Sequence, residues 1–225
     1  MIAMKRNIRR CIEDYGIVPS IRLSRGNSAA DDALFAAETL TSAGIPIVEI
    51  SLTEPGAVNV MAHLSKNLPE MIIGADVLDV ETAQRCLDSG ARFITSPGFF
   101  SELIEFGAGK DVVVLPGALT PTEVVTAWKS GADLVKVFPC SQVGGAGYIK
   151  ALHGPMPQIP LIASGGVNQS TAMSFVLSGA TALGIGAELV PRQAIQGRRD
   201  SQIRELARRF LTMVKEGRTQ RMGQV

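Results

Sequence analysis

Two charged side chains interrupt stretches of sequence that are otherwise apolar. Glu49 lies inside PIVEIS (46–51) and Lys136 inside DLVKVFP (133–139). If both runs are β-strands, side chains alternate between faces, so Val48 and Ile50 share one face and Glu49 takes the other. Val135 and Val137 oppose Lys136 in the same way. The β-branched neighbours suit a helix-covered outer face, which turns both charges inward. A buried ammonium is costly unless it is paired or its pKa falls. A neutral lysine amine is the nucleophile that attacks a ketone to form a Schiff base, and a facing carboxylate can shuttle the protons. The same two residues also fit a buried ion pair that only fixes strand register. The residues alone leave both readings open.

A second cluster is built from glycine. Ala163-Ser164-Gly165-Gly166-Val167 runs into Asn168, a helix-capping residue type, and Gly184-Ile185-Gly186-Ala187 lies further on. Such glycines let backbone N–H groups approach an anion, although tight turns use glycine without any ligand. Val143-Gly144-Gly145-Ala146-Gly147 lacks the G-K-[ST] ending of a phosphate loop and is expected to be a flexible loop. His63 and His153 are too far apart for a zinc triad. His63 reads as a side chain facing solvent or a neighbouring subunit, and His153 as a helix end. Cys11, Cys86 and Cys140 are odd in number and lack ligand spacing, so neither disulfides nor structural zinc are expected. Cys140, just after Pro139, is placed where a modifiable thiol would sit, but no base accompanies it in sequence.

These residues need a scaffold. Eight short runs rich in Val and Ile read as strands: 17–22, 46–51, 71–75, 92–96, 112–115, 133–137, 160–163 and 181–185. Helices are expected to begin near Ala29, Gly56, Val80, Phe100, Pro121, Gly147 and Gln169, and at or after Pro191. Thr120-Pro121-Thr122-Glu123 supplies an N-cap, a first-turn proline and the glutamate of a capping box. Asn168 is expected to cap the helix that Gly179 ends. Gly44, Gly90 and Gly131 occupy the same place in SAGI, DSGA and KSGA. Runs apolar on both faces mean parallel strands covered by helices. Eight such units predict a single-domain (β/α)8 TIM barrel spanning 1–225, and no G-x-G-x-x-G follows the first strand to favour an open sheet. An extra helix at 3–14 would cover the barrel's N-terminal end. A C-terminal helix at about 200–217 would pack through Ile203, Leu206, Phe210 and Met213. In such a barrel active sites lie at the C-terminal strand ends. The second and sixth strands then bring Glu49 and Lys136 together, and the glycine turns follow the seventh and eighth strands.

Composition excludes several other functions. Apolar residues make up 46% and charged residues 19% of the 225, which describes a globular chain rather than a disordered one. Aromatics are only 5% and the net charge is +1, so neither a base-stacking platform nor a field that recruits nucleic acid or membrane is expected. Basic residues do gather at the ends, four in 1–10 and eight in 198–225, and amphipathic helices with wet basic faces explain them. No apolar run reaches the ~18 residues of a membrane span, and the charged N-terminus is no signal peptide. The expectation is a soluble, cytoplasmic protein.

Taken in order, Val48-Glu49-Ile50-Ser51-Leu52, Ser96-Pro97-Gly98, Leu115-Pro116-Gly117, Val135-Lys136-Val137-Phe138-Pro139 and Ser164-Gly165-Gly166-Val167 resemble the 2-keto-3-deoxy-6-phosphogluconate / 4-hydroxy-2-oxoglutarate aldolases over roughly 15–195. The specific part is K-x-F-P on the sixth strand with E-[VI]-[ST]-L on the second. The resemblance implies a class I aldolase with no cofactor and no metal, assembled as a homotrimer and acting on a small 2-keto acid. It implies Lys136 as Schiff-base lysine and Glu49 as general acid/base. Pro97 and Phe138 would line the pyruvyl pocket, and Ser164, Gly165, Gly166 and the Gly186 turn would hold a distal phosphate. The implied substrate is a 2-keto-3-deoxy sugar acid phosphorylated at C6, of gluconate or galactonate type, yielding pyruvate and an aldehyde such as glyceraldehyde 3-phosphate.

Three positions depart from the family pattern. Thr53 replaces an arginine that would clamp the substrate carboxylate, leaving Arg22, or Arg25, to supply the positive charge. The G-A-G-T-V-L motif is here Gly74-Ala75-Asp76-Val77-Leu78, without its threonine and with an acid that would repel a carboxylate. Ala187 stands where a phosphate-binding serine is common. These changes motivate a second reading, a non-catalytic or regulatory barrel that binds a keto acid or phosphate. A third, another phosphate-binding barrel enzyme of the thiamine-phosphate-synthase kind, leaves Lys136 without a role.

Overall fold

A computed structural model describes residues 2–23, 28–52 and 56–223. The chain opens with α1 (Ile2–Tyr15) and then alternates strands and helices: β1 (Ile17–Arg22), α2 (Ala29–Ser42), β2 (Ile47–Ser51), α3 (Ala57–Asn67), β3 (Ile72–Asp76), α4 (Val80–Asp88), β4 (Phe93–Thr95) and α5 (Ser101–Lys110). It continues through β5 (Val113–Leu115), β6 (Gly117–Ala118), α6 (Pro121–Lys129), β7 (Val135–Val137), a 3-10 turn (Ser141–Val143), α7 (Gly145–His153), β8 (Leu161–Ser164), α8 (Ala172–Leu177), β9 (Ala182–Ile185), α9 (Arg192–Gln196) and α10 (Asp200–Met222).

All pairings between these strands are parallel, in the order β5-β4-β3-β2-β1-β9-β8-β7-β6. The two outer members of that order are consecutive in the chain, so the sheet closes into a barrel through the chain itself. The eight expected strands therefore become nine, because the fifth is split at Pro116. Proline has no N–H for the ladder. Pairing with β4 ends at Leu115, and pairing with β7 starts at Gly117, while the Pro116 carbonyl accepts the Lys136 N–H at 2.9 Å.

Helix ends follow local chemistry. Thr120 caps α6 and forms a full capping box with Glu123. Gly44, Gly90, Gly131 and Gly179 all have positive φ just beyond their helices, the backbone state that glycine adopts without strain. Two expectations are corrected. The glycine run 143–147 is no flexible loop: Gly144 and Gly145, both at positive φ, turn the chain from the 3-10 turn straight into α7. Asn168 caps a preceding turn, its Oδ1 accepting the N–H groups of Ser170 and Thr171, and regular α8 starts only at Ala172.

The core is the apolar filling between the outer strand faces and the helices. α1 crosses the N-terminal end, burying Ile8 and Ile12 and contacting both β5 and β9. Lys5 on α1 pairs with Asp133 at 3.1 Å, and Asp133 in turn accepts the Val114 N–H at 3.0 Å. Asp133 thus ties the bottom of the barrel rather than starting a strand. α10 runs five residues past the expected stop at 217. Its buried stripe is Ile203, Ala207, Phe210, Val214 and Gly217, with Leu206 and Met213 only partly covered. Gly217 is a close-packing residue within the helix, since a Cβ there would lie 3.0 Å from Val176 of α8.

Candidate active site

The side chains that point into the barrel converge on a cavity of about 270 Å³ at the C-terminal strand ends. Alternation decides which residues reach it. β1 offers Ser20 and Arg22, β2 Glu49 and Ser51, β3 Asp76, β4 Thr95, β7 Lys136, and β8 Ser164. Gly74 precedes Asp76 on the same face, and a Cβ there would lie 2.1 Å from the Phe93 ring, so the glycine makes room for that ring. The two inward charges read from sequence do meet. Lys136 Nζ lies 3.4 Å from Glu49 Oε2, with both residues buried.

A third charge joins them. Lys136 Nζ is also 3.5 Å from Asp76 Oδ1. Thr95 Oγ1 stands between the carboxylates, donating to Glu49 Oε2 at 2.6 Å and lying 3.3 Å from Asp76 Oδ1. Asp76 therefore does not stand alone against an incoming carboxylate, as expected from sequence; its charge faces the lysine. Burial and then the neighbouring Glu49 charge raise its carboxyl pKa, against the opposing pull of Lys136. Burial alone would lower the Lys136 pKa, but the Glu49 and Asp76 carboxylates outweigh it and hold the ammonium above the ordinary lysine value. Burial thus does not by itself yield the free amine anticipated from sequence.

Phe138, Pro97 and Leu115 form apolar wall around the lysine, with Nζ 5.8 Å from the Phe138 ring centroid. Pro97 is pressed against the strand break at Pro116: a Cβ on Gly117 would fall 2.3 Å from its carbonyl carbon. Across the cavity lie Ser164, Gly165, Gly166, Gly184 and Gly186, together with Ala187 and Glu188. Gly165 and Gly166 have φ of 85° and 82° and touch Pro139 and Ser141, so this turn requires glycine whether or not an anion binds. Gly184 leaves room for Ser164, whose Oγ would be 2.7 Å from a Cβ there.

Arg22 lines the cavity from an exposed position at the end of β1. Thr53, Glu54 and Arg25 lie outside the described residues. His63 and His153 do not line the cavity. Cys140 does not present a modifiable thiol: it is fully buried, its Sγ donates to the Gly165 carbonyl at 3.4 Å, and burial pushes its pKa up to about 11. Among the described residues no group of three His, Cys, Asp or Glu side chains gathers to hold a metal ion.

Thr95 was not singled out from sequence, nor was Asp76 as a partner of Lys136. Thr95 is a polar residue in an apolar strand, as Glu49 is, but a β-branched threonine reads as an ordinary strand residue. Asp76 lies one residue beyond the expected end of its strand.

With this geometry in hand, comparisons with known proteins are specific. Residues 8–206 match the family model described as KDPG and KHG aldolase. The chain is 30% identical over 204 residues to the 2-dehydro-3-deoxy-phosphogluconate aldolase of Pseudomonas aeruginosa, covering 90% of each chain. It is 33% identical over 175 residues to the 2-dehydro-3-deoxy-6-phosphogalactonate aldolase of Escherichia coli, covering 76% of this chain and 84% of that one. Among solved structures it resembles a KDPG aldolase from Legionella pneumophila, captured with pyruvate as a covalent carbinolamine intermediate. That match has a TM-score of 0.81 and 29% identity, covering 89% of this chain and 96% of the other.

Proposed function

The chain belongs to the KDPG and KHG aldolase family, and from that premise we propose that it cleaves a 2-keto-3-deoxy sugar acid to pyruvate and an aldehyde through a Schiff base on Lys136. The observation that carries the assignment to this residue is a buried lysine on the wall of the cavity, 3.4 Å from a buried carboxylate. The neutral Lys136 amine adds to the C2 ketone, and loss of water gives an iminium. That cation accepts the electrons of the C3–C4 bond as it breaks. Glu49, as carboxylate, takes the proton of the C4 hydroxyl, and the aldehyde leaves. Glu49, now protonated, returns that proton to C3 of the enamine, and addition of water to the iminium then releases pyruvate and restores Lys136.

The lining of the rest of the cavity supports the substrate class. Arg22 supplies positive charge for the carboxylate, and Phe138 and Pro97 flank the pyruvyl carbons. Ser164 and the Gly165, Gly166 and Gly186 turns face the distal end, where a 6-phosphate would lie in a substrate of gluconate or galactonate type, giving glyceraldehyde 3-phosphate. The relatives named for phosphogluconate and phosphogalactonate support this reading. The resemblance also supports a homotrimer. A cytoplasmic location fits the three unpaired cysteines, and no helix among the described residues is long and apolar enough to cross a membrane.

A second reading has one observation in its favour. Two carboxylates hold Lys136 protonated, as they would in a barrel that binds a keto acid without turnover. Assay of pyruvate release from both phosphorylated sugar acids, using the wild type and Lys136→Met, separates the two. The aldolase reading predicts release by the wild type and none by the variant, with the variant still folded. Stabilisation by the keto acids with no release from any of them would favour binding alone.

A further inference from the structure

The hydroxyl of Thr95 has one proton, and it is committed: at 2.6 Å the donation to Glu49 Oε2 is the short, charge-assisted bond. The 3.3 Å contact to Asp76 Oδ1 therefore meets the lone pairs of Thr95. Two acceptors facing one another gain nothing, whereas a protonated Asp76 would donate to Thr95 and complete a chain of hydrogen bonds from Asp76 through Thr95 to Glu49. The cation beside Asp76 in this cluster is Lys136, 3.5 Å away. The geometry thus favours a proton that moves between Lys136 and Asp76 while Glu49 stays ionised.

Resting on the Schiff-base reading above, we propose that Asp76 is a second catalytic carboxylate, dedicated to making and breaking the bond between Lys136 and the substrate. Asp76 takes the ammonium proton of Lys136, and the freed amine adds to the C2 ketone. The resulting zwitterion carries a positive nitrogen and an alkoxide. Through Asp76, one proton passes from that nitrogen to the alkoxide, giving the neutral carbinolamine. Asp76 then gives its remaining proton to the carbinolamine hydroxyl, which leaves as water with the C–O bonding pair, while the nitrogen lone pair forms the C=N bond. The cluster begins with an ammonium and ends with an iminium, with Asp76 a carboxylate at both points, so charge and protons balance. Glu49 is never consumed in these steps and remains a base for the C4 hydroxyl. The raised carboxyl pKa of Asp76 fits a group that must hold a proton transiently.

Two rates separate the labour of the carboxylates. One is the approach to the borohydride-trapped pyruvate adduct in rapid-quench experiments; the other is exchange of the pyruvate methyl protons in D2O, divided by the iminium present. Asp76→Asn should slow adduct formation about a hundredfold, the usual scale of a lost general acid/base, and leave exchange per iminium within about twofold of wild type, a margin far below that loss. Glu49→Gln should do the reverse. If Asp76→Asn does not fold, Asp76→Ala carries the test, with formate expected to restore adduct formation; a merely structural aspartate would not be replaced by formate. Adduct formation at the wild-type rate in Asp76→Asn, a parallel fall in both rates, or no restoration by formate would overturn the proposal. Failure of the wild type itself to form an adduct on Lys136 would instead overturn the Schiff-base reading.

Discussion

At the scale of single residues, the neighbours of a buried group, and not burial itself, set its charge state. Lys136 and Cys140 lie within a few residues of each other and both are buried, yet they differ in what surrounds them. The lysine faces two carboxylates, which stabilise its charged form and give its proton somewhere to go. The thiol faces a backbone carbonyl, and burial pushes its pKa up to about 11, as it does for Cys86. A thiol reacts as thiolate. Iodoacetamide at neutral pH should therefore label the half-exposed Cys11 first and leave Cys86 and Cys140 unmodified until the chain unfolds. Peptide mapping that found Cys140 labelled as fast as Cys11 would contradict this. Glu49 and Lys136 were legible because a charge among branched apolar residues has no other comfortable place. Thr95 was not legible, since a strand accepts threonine for its shape alone. Asp76 was visible but misread, because its meaning depends on a lysine sixty positions away in the chain.

At the scale of elements, the strands were legible to within one or two residues, because parallel strands covered on both faces are continuous apolar runs. What escaped was the division of the fifth strand at Pro116, which depends on which neighbour each half pairs with. Glycine runs were harder: α7 begins inside the segment that looked like a loop, because positive φ at Gly144 and Gly145 serves a reversal of direction. Capping was legible where side-chain chemistry specifies it. At the start of α6 the Glu123 carboxylate accepts the N–H groups of Thr120 and Leu119, which lowers its pKa, and Thr120 Oγ1 accepts the Glu123 N–H. A carboxyl with a lowered folded pKa stabilises above its unfolded pKa, and that contribution is lost as pH falls through the folded value. Thr120→Ala should cost about 1 kcal/mol at neutral pH, measured by urea unfolding. An unchanged midpoint would show that the box is not a stabilising contact.

At the scale of the molecule, the end of α10 meets the end of α1 and the start of β9 on the side of the barrel opposite the cavity. The basic residues gathered there serve internal contacts as well as solvent. Arg218 on α10 donates to the carbonyls of Asp14, Glu13 and Thr181, joining the end of α1 to the start of β9. Arg221 reaches the Val176 and Ala180 carbonyls at the end of α8. Arg204, Arg208 and Arg209 pair within the exposed face of α10, which agrees with the wet basic face expected from sequence. Arg218→Ala removes charged hydrogen bonds to three carbonyls and should destabilise the chain by roughly 2 kcal/mol, while pyruvate release per folded molecule stays unchanged. A loss of turnover without a loss of stability would show that this end communicates with the cavity.

The proposed Schiff base places the substrate on Lys136. Reduction with borohydride in the presence of pyruvate, followed by intact mass and peptide mapping, tests it most directly. One reduced pyruvyl adduct is expected, on the peptide that contains Lys136, and none in Lys136→Met. An adduct on another lysine, or none under conditions that trap a control aldolase, would contradict it.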